Sequence, residues 1–136
     1  MFIKESTKYE LQKETVKHKA YEGLLVKIGL ENSTCLVGVV YRPPGRSMVE
    51  FNVEIEELLL HITKGTKNLI LIGDFNIDLL KINEHKETNA FYNCLTSHQL
   101  IPTITRPTRI TTDTSTLIEN IFTNAWSRLI ETSIII

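Results

Sequence analysis

The sequence predicts a single α/β (α+β) domain in which helices cover a buried sheet. Two short apolar segments, residues 34–41 and 68–73, are typical of buried strands. Segments with the apolar spacing of amphipathic helices follow each of them, and this alternation is typical of the α/β class. With 136 residues, of which 42% are hydrophobic, the chain can form one core and is too short to argue for two.

The first half of the chain predicts two paired strands and a helix. Residues 24–30 have an apolar side chain at every second position, so they predict a strand that pairs with residues 34–41. The prolines of the YRPPG segment end the second strand, since proline donates no backbone hydrogen bond. Ser47 and Glu50 have capping-box spacing, and apolar residues then recur every three or four positions, which predicts a helix that stops near Gly65.

The second half predicts a central strand, a helix, a long extended segment and a last strand. Residues 68–73 are too short for a buried helix and too apolar for an exposed strand. A helix is predicted around residues 86–97, where two apolar side chains are four apart. Residues 101–115 are rich in proline and threonine and predict an extended loop, and residues 116–123 predict a final strand.

Composition restricts the partners and the compartment. The 15 basic and 16 acidic residues nearly cancel, so any contact with nucleic acid must be local. Cys35 and Cys94 lie in apolar settings without CxxC spacing, which favours reduced core thiols and an intracellular protein over a disulfide or a zinc site. No apolar run has the length of a signal peptide or a membrane span, so no membrane partner is expected.

The segment LILIGDFN, residues 69–76, places polar side chains directly after a buried strand. If the backbone stays extended past Gly73, Asp74 and Asn76 point to one side and Phe75 points into the core. An aspartate accepts a hard cation or a water proton, and an asparagine can donate to a phosphate oxygen, so the pair suits phosphoryl chemistry. An equally consistent interpretation is that Asp74 only caps the turn that follows.

Four segments in one order resemble a known family. They are VVYRPPG at residues 39–45, LILIGDFN, TRPTRIT at residues 105–111 and STLIENIFTN at residues 115–124. The set resembles the endonuclease/exonuclease/phosphatase superfamily, and within it the apurinic-type endonuclease domain of LINE-like, non-LTR retrotransposons. The resemblance runs from about residue 2 to residue 124 and implies a partial four-layer β-sandwich flanked by helices, with a phosphodiesterase site that requires Mg²⁺ or Mn²⁺.

The resemblance also implies roles for individual residues. Asp74 and Asn76 match the pair that acts on the attacking water and the scissile phosphate, and Asp74 would be a weak metal ligand from an incomplete set. Tyr41 matches a tyrosine that contacts the phosphate. Glu119 stands where the family carries an aspartate that orients a catalytic histidine. Glutamate is one methylene longer, so its carboxylate is expected to lie differently.

The TRPTR segment is a further candidate for binding phosphate. Arg106 and Arg109 carry guanidinium groups on a loop stiffened by proline, and Thr108 adds a hydroxyl between them. Such a loop suits contacts with the phosphate backbone of DNA. Surface arginines without a ligand are nevertheless the commoner case.

Two family motifs have no counterpart within the 136 residues: the upstream metal-binding glutamate and the closing Ser-Asp-His. We therefore expect residues 1–136 to form one incomplete domain, truncated at both ends, that hydrolyses DNA slowly or not at all. The first functional hypothesis is a metal-dependent DNA endonuclease linked to a reverse transcriptase and acting in the nucleus. The alternatives are an inactive remnant that binds a partner or has no function, and an inositol-phosphate or lipid phosphatase of the same superfamily.

Overall fold

The computed structural model describes residues 5, 7–17 and 19–125, with side chains left out for residues 12–17. In chain order the elements are β1 (Tyr9–Lys17), β2 (Glu22–Gly29), β3 (Thr34–Tyr41), α1 (Met48–Ile62), β4 (Leu69–Asp74), a short 3₁₀ helix (Leu79–Lys81), α2 (Lys86–Ser97), β5 (Ile101–Pro102), β6 (Arg109–Ile110), β7 (Ser115–Thr116) and β8 (Glu119–Thr123). The fold class is α/β, as predicted.

Six of the strands form one mixed sheet in the order β1-β2-β3-β4-β8-β5, and β6 pairs with β7 in a separate hairpin. The central pair β3–β4 is parallel, and its neighbours run antiparallel to it. The α1 helix provides the crossover that a parallel connection requires. A parallel pair brings the carboxyl ends of two strands to the same edge, which places the residues after β3 beside those after β4.

The two α-helices cover one face of this sheet. Register partners across β2, β3, β4 and β8 place Leu25, Gly38, Leu71 and Phe122 in one row on that face. All except the glycine belong to a core cluster that also contains the buried residues of both helices. Each fully buried large side chain in such a cluster contributes about 1.5–3 kcal/mol, so this face supplies most of the folding energy of the described part.

Four phenylalanines join the helices to the sheet. Phe75 lies between Phe91 of α2 and Phe122 of β8, with ring centroids 5.2 and 5.5 Å apart, and Phe51 of α1 contacts Phe91 at 5.6 Å. Edge-to-face and tilted pairs of this kind add to the energy of burial. Phe75 is 1% exposed and therefore anchors the segment after β4, as the sequence predicted.

The helix boundaries follow the predicted signals. The Ser47 side chain accepts a hydrogen bond from the Glu50 backbone N–H at 3.2 Å, which caps α1. Gly65, just after the end of α1, has φ of +79°, a conformation that favours glycine. Helix α2 spans residues 86–97, as expected from the apolar spacing.

Three features differ from the sequence-based expectations. Strand β1 was not predicted, because its sequence is polar and its tyrosine and leucine, Tyr9 and Leu11, are exposed at the sheet edge. The segment 101–115 is not wholly a loop, since it contains β5 and half of the β6–β7 hairpin. The predicted strand 116–123 is broken between β7 and β8, where Leu117 turns into the core.

The described residues account for part of the expected sandwich, namely one main sheet and the helices on one of its faces. Cys35 and Cys94 carry reduced thiols, as predicted, and burial raises the pKa of Cys94 to about 11, helped by the charge of Glu56. Neither α-helix of the described part is long and apolar enough to cross a membrane.

Candidate functional site

Three polar side chains form a row across the ends of three neighbouring strands, and this end of the sheet is the edge meant below. Tyr41 ends β3, Asp74 ends β4 and Glu119 begins the antiparallel strand β8, so all three lie at the same edge. Tyr41 is the register partner of Asp74, and Asp74 is the register partner of Glu119. Because directly paired residues point to the same face, the row lies on the face opposite the helices.

Gly73 allows β3 and β4 to approach closely just before this row. A Cβ atom on Gly73 would lie 2.2 Å from the carbonyl oxygen of Val40 and 3.1 Å from the Phe75 ring. No other residue type fits that space without moving β3. The glycine of the LILIGDFN segment therefore serves packing between strands, and through it the spacing of Tyr41 and Asp74.

The backbone after Asp74 turns sharply and does not stay extended, so the assumption made from the sequence is wrong. Asn76 has φ of +48°, a left-handed conformation that asparagine tolerates better than most residues. Its backbone N–H donates to Oδ1 of Asp74 at 3.1 Å. Asp74 therefore caps the turn through one oxygen, as the alternative interpretation held, and directs its other oxygen toward the site.

The side chain of Asn76 is also engaged. Its Nδ2 donates to the carbonyl oxygen of Arg42 at 2.7 Å, which ties the turn after β4 to the end of β3. One amide N–H is thus committed to the backbone, and only the second could reach a ligand. The sequence-based interpretation had given this amide a role in binding phosphate and did not include its bond to Arg42.

Arg109 bridges the two carboxylates of the row. Its Nε donates to Oε1 of Glu119 at 2.8 Å, and its Nη2 donates to Oδ2 of Asp74 at 3.0 Å. Thr108 donates its hydroxyl proton to the other Glu119 oxygen, Oε2. The β6 strand and the residue before it therefore lie over the row, joined to it by three hydrogen bonds.

These contacts shift the pKa values of Glu119 and Arg109. Burial would raise the pKa of Glu119, but the hydrogen bonds from Thr108 and Arg109 and the charge of Arg109 outweigh it and lower the pKa. The pKa of Arg109 is raised, first by its hydrogen bond to Glu119 and then by the charge of that carboxylate, with smaller contributions from Asp74 and Tyr41. Arg109 and its two carboxylate partners, together called the clasp, are therefore ion-paired at neutral pH. Tyr41 lies close enough to contribute to the raised pKa of Arg109.

Six of the seven residues predicted for the site come together. Asp74, Glu119, Thr108 and Arg109 are joined by hydrogen bonds, and Tyr41 and Asn76 adjoin them. Arg106 does not join the group: it is exposed, and its side chain has no recorded hydrogen bond or ion pair within the described ranges. The proline between Arg106 and Thr108 separates the first arginine from the clasp.

Arg42 is a residue that sequence reasoning missed. It is 4% exposed, and its guanidinium donates to backbone carbonyls in the turn after β4. The only signal in the sequence is its place between an apolar strand and two prolines, which does not distinguish a buried arginine from an exposed one. Its burial became visible only once β3 and β4 were paired.

The carboxylates of Asp74 and Glu119 have the chemistry to bind a divalent cation, but they are only two among the described residues of the row. Asp74 and Glu119 offer carboxylate oxygens, the ligands that Mg²⁺ prefers, and Arg109 already places a positive charge between them. Over residues 5, 7–17 and 19–125 there is no group of three or more His, Cys, Asp or Glu side chains that could hold a metal. Mg²⁺ often binds one or two carboxylates together with substrate phosphate and water, so the pair fits the protein's share of such a site.

Comparison with protein families identifies the chain. The model of the family described as "Endonuclease-reverse transcriptase" matches residues 35–134, which include β3 except its first residue, all of β4 and β8, and every residue of the row. The chain belongs to this family. A comparison with curated proteins found no match.

Solved structures share the fold. The endonuclease domain of TRAS1, a telomere-specific non-LTR retrotransposon, matches with a TM-score of 0.67 and 13% identity over 90% of this chain and 57% of its own. The human Nocturnin catalytic domain with bound sulfate matches with a TM-score of 0.56 and 15% identity, over 86% of this chain and 48% of its own. An endonuclease/exonuclease/phosphatase family protein from Bacteroides thetaiotaomicron matches with a TM-score of 0.52 and 17% identity, over 88% and 50%.

These structural matches show that the chain has the endonuclease/exonuclease/phosphatase fold. The chain spans about half the length of the structures it matches. At such low identity the likeness concerns the fold alone.

Proposed function

We propose that this chain supplies part of a metal-dependent site that hydrolyses phosphodiester bonds in DNA, within the endonuclease of a retrotransposon. The observation that carries the proposal is the row of Tyr41, Asp74 and Glu119 at one edge of the sheet, in which Arg109 bridges the two carboxylates. Family membership supports a nuclease linked to a reverse transcriptase, and action on DNA in the nucleus is part of the proposal.

Each side chain has a proposed part in this chemistry. Asp74 would hold the divalent cation through Oδ2, the oxygen that is not committed to capping the turn, and this would orient the attacking water, whose proton would leave to solvent. The second amide N–H of Asn76 and the hydroxyl of Tyr41 would donate to phosphate oxygens. A bound Mg²⁺ or Mn²⁺ would supply charge that offsets the developing negative charge on the phosphate.

Arg109 and Thr108 would change partners when DNA binds. Both donate to the carboxylates of the row in this structure, and both donor types also suit phosphate oxygens. Because Arg109 is the group between the carboxylates, it competes with a divalent cation for the same oxygens. Movement of Arg109 from carboxylate to phosphate would leave Asp74 and Glu119 as ligands for the cation.

The test is nicking of supercoiled plasmid in the presence of Mg²⁺. It would be run on the 136-residue chain and on a longer form that includes whatever flanks it in its reading frame. Asp74→Asn removes the proposed cation ligand with little change in shape, and Asp113→Asn, in the exposed turn of the β6–β7 hairpin, is the matched control. We expect the 136-residue chain to nick slowly, because among the residues that the structure describes the row offers two carboxylates and both are paired to Arg109.

The outcomes separate the functional hypotheses. Mg²⁺-dependent nicking by either form that Asp74→Asn abolishes and Asp113→Asn retains supports the proposal. Nicking that Asp74→Asn leaves unchanged would contradict the assigned site. No nicking by either form would favour the inactive remnant. Release of phosphate from an inositol phosphate, with DNA left intact, would favour the phosphatase alternative.

A further inference from the structure

Arg42 is the most completely buried charged side chain near the row. It follows Tyr41 at the end of β3, and 4% of its surface is exposed. Burial lowers the pKa of its guanidinium, and the nearby charge of Asp74 acts in the opposite direction. A buried guanidinium is costly unless its donors are satisfied, so its partners indicate why it is there.

The guanidinium donates to three backbone carbonyls. Its Nε reaches the oxygen of Phe75 at 2.7 Å, and its Nη2 reaches the oxygen of Asn76 at 2.7 Å. Its Nη1 reaches the oxygen of Arg46 at 2.6 Å. The two contacts to consecutive carbonyls use the planar fork of arginine, which fixes direction as well as distance.

The backbone of Arg42 makes two more contacts to the same turn. Its N–H donates to the carbonyl of Asp74 at 2.9 Å, and its carbonyl accepts from Nδ2 of Asn76 at 2.7 Å. Residue 42 is thus hydrogen-bonded to each of the residues Asp74, Phe75 and Asn76. The left-handed conformation of Asn76 directs its carbonyl toward the guanidinium.

We propose that Arg42 is a positioning residue that fixes the Asp74–Asn76 turn and so sets where the Asp74 carboxylate and the Asn76 amide lie relative to Tyr41. The proposal rests on the function proposed above for Asp74 and Asn76. Arg42 is not proposed to touch the substrate, because each of its three nitrogens, Nε, Nη1 and Nη2, already donates to a backbone carbonyl. Its contribution is to hold two strand ends, which carry different parts of the site, in one fixed geometry.

Lysine cannot replace arginine in this arrangement. Its ammonium is a single nitrogen, so it cannot reach the carbonyls of Phe75, Asn76 and Arg46 from one position with the same directions. Arg42→Lys keeps the charge and removes the fork. Arg46→Lys, in the same proline turn, is the matched control, because Arg46 contributes its backbone carbonyl and its exposed side chain is not part of the contact.

The first measurement is hydrogen exchange followed by NMR on the 136-residue chain. In the unmodified protein, the Nε proton of Arg42 should exchange at least about tenfold more slowly than that of Arg46, because only the former is buried and hydrogen-bonded. Equal exchange would overturn the proposal. This arm requires no variant, so it decides the question even if Arg42→Lys does not fold.

The second measurement compares variants. In Arg42→Lys, the side-chain amide of Asn76 should lose at least about tenfold in protection, whereas Arg46→Lys should leave it unchanged. Ile62→Val, a buried change at the far end of α1, controls for general loss of stability. If Arg42→Lys lowers protection at Asn76 no more than Ile62→Val of equal melting temperature does, Arg42 is merely structural and the proposal fails.

A third measurement tests the consequence for the reaction. In whichever form nicks DNA, Arg42→Lys should lower kcat at least about tenfold and change KM less than about twofold, because the guanidinium does not contact DNA. A rise in KM with unchanged kcat would contradict a positioning role. If no form nicks DNA, the proposed function fails, and the exchange measurements still decide whether Arg42 fixes the turn.

Discussion

Replacing Gly73 by alanine tests whether the close approach of β3 and β4 places the row. The new Cβ atom would lie 2.2 Å from the Val40 carbonyl oxygen, where real Cβ atoms essentially never come within 3.0 Å. The two strands must therefore separate by at least 0.8 Å, the difference between those distances. The hydrogen bond from the Arg42 N–H to the Asp74 carbonyl, now 2.9 Å, lies directly beyond this point and would be lost.

The expected cost combines three terms. Overpacking costs about 1–3 kcal/mol, and the lost backbone hydrogen bond costs about 1 kcal/mol more. Alanine restricts the unfolded chain and returns about 0.4–1 kcal/mol. We therefore expect Gly73→Ala to lower the free energy of unfolding by about 1–3.5 kcal/mol, which moves the urea midpoint down by about 0.5–2.5 M at an m-value of about 1.5 kcal/mol/M.

Gly38→Ala is the matched control, because it makes the same change in the neighbouring strand. Its Cβ would meet methyl groups of Leu71 at 2.8 Å and Leu25 at 3.2 Å, and side-chain ends can move where a backbone carbonyl cannot. We expect a cost of about 1 kcal/mol. The measurement is the urea midpoint of both variants, compared on condition that their unfolding curves have the same m-value. A Gly73→Ala variant no less stable than Gly38→Ala would refute the argument that close backbone approach fixes this edge.

Three further predictions concern the clasp and the first helix. Glu119 has a lowered pKa, so its contribution to folding stability is present above the ordinary value of 4.5 and is lost as pH falls through the lowered value. Below pH 5 the melting temperature should therefore fall more steeply in the unmodified chain than in Glu119→Gln, and the lost free energy should be under about 1 kcal/mol because the group is partly exposed. Parallel curves of melting temperature against pH would contradict this prediction. Arg109→Gln should tighten Mn²⁺ binding several-fold by freeing two carboxylates, and Asp74→Asn should abolish the binding, as measured by paramagnetic broadening in an NMR titration with Mn²⁺. An unchanged midpoint of the Mn²⁺ titration in Arg109→Gln would show that Arg109 does not compete with the cation. Ser47→Ala should cost about 1 kcal/mol in urea unfolding by removing the cap of α1, and no loss would mean that the cap contributes nothing.

The sequence was most informative where one physical signal acts over a short range. The apolar run of β3 and the four-residue spacing in α2 predicted elements that the structure shows at residues 34–41 and 86–97. Ser47 and Gly65 marked the two ends of α1 for reasons local to the backbone. Strand β1 has no such signal, because its sequence is mostly polar and its first residues, 9–11, are exposed, so it resembles a loop.

The site depended on contacts that no local pattern specifies. Asp74 and Arg109 are 35 residues apart in the chain, and they meet because β8 pairs with β4 and the β6–β7 hairpin folds over both. Motif resemblance brought the right residues into consideration but did not give their partners. It assigned the Asn76 amide to phosphate, whereas one of its N–H groups binds the Arg42 carbonyl. The burial of Arg42 likewise follows from pairing two strand ends 34 residues apart.

The charges of the site bear on why the proposed reaction would need a divalent cation. Asp74 and Glu119 carry two formal negative charges, and Arg42 and Arg109 carry two positive ones, so the four groups cancel. Arg42 is committed to backbone carbonyls, and Arg109 is committed to the two carboxylates. A phosphodiester therefore meets no free positive charge from these four groups until Arg109 leaves its partners. Asp74 and Glu119 would hold a divalent cation once Arg109 has left them, and the sum would then change from zero to two positive charges, so cation binding and phosphate binding should favour each other.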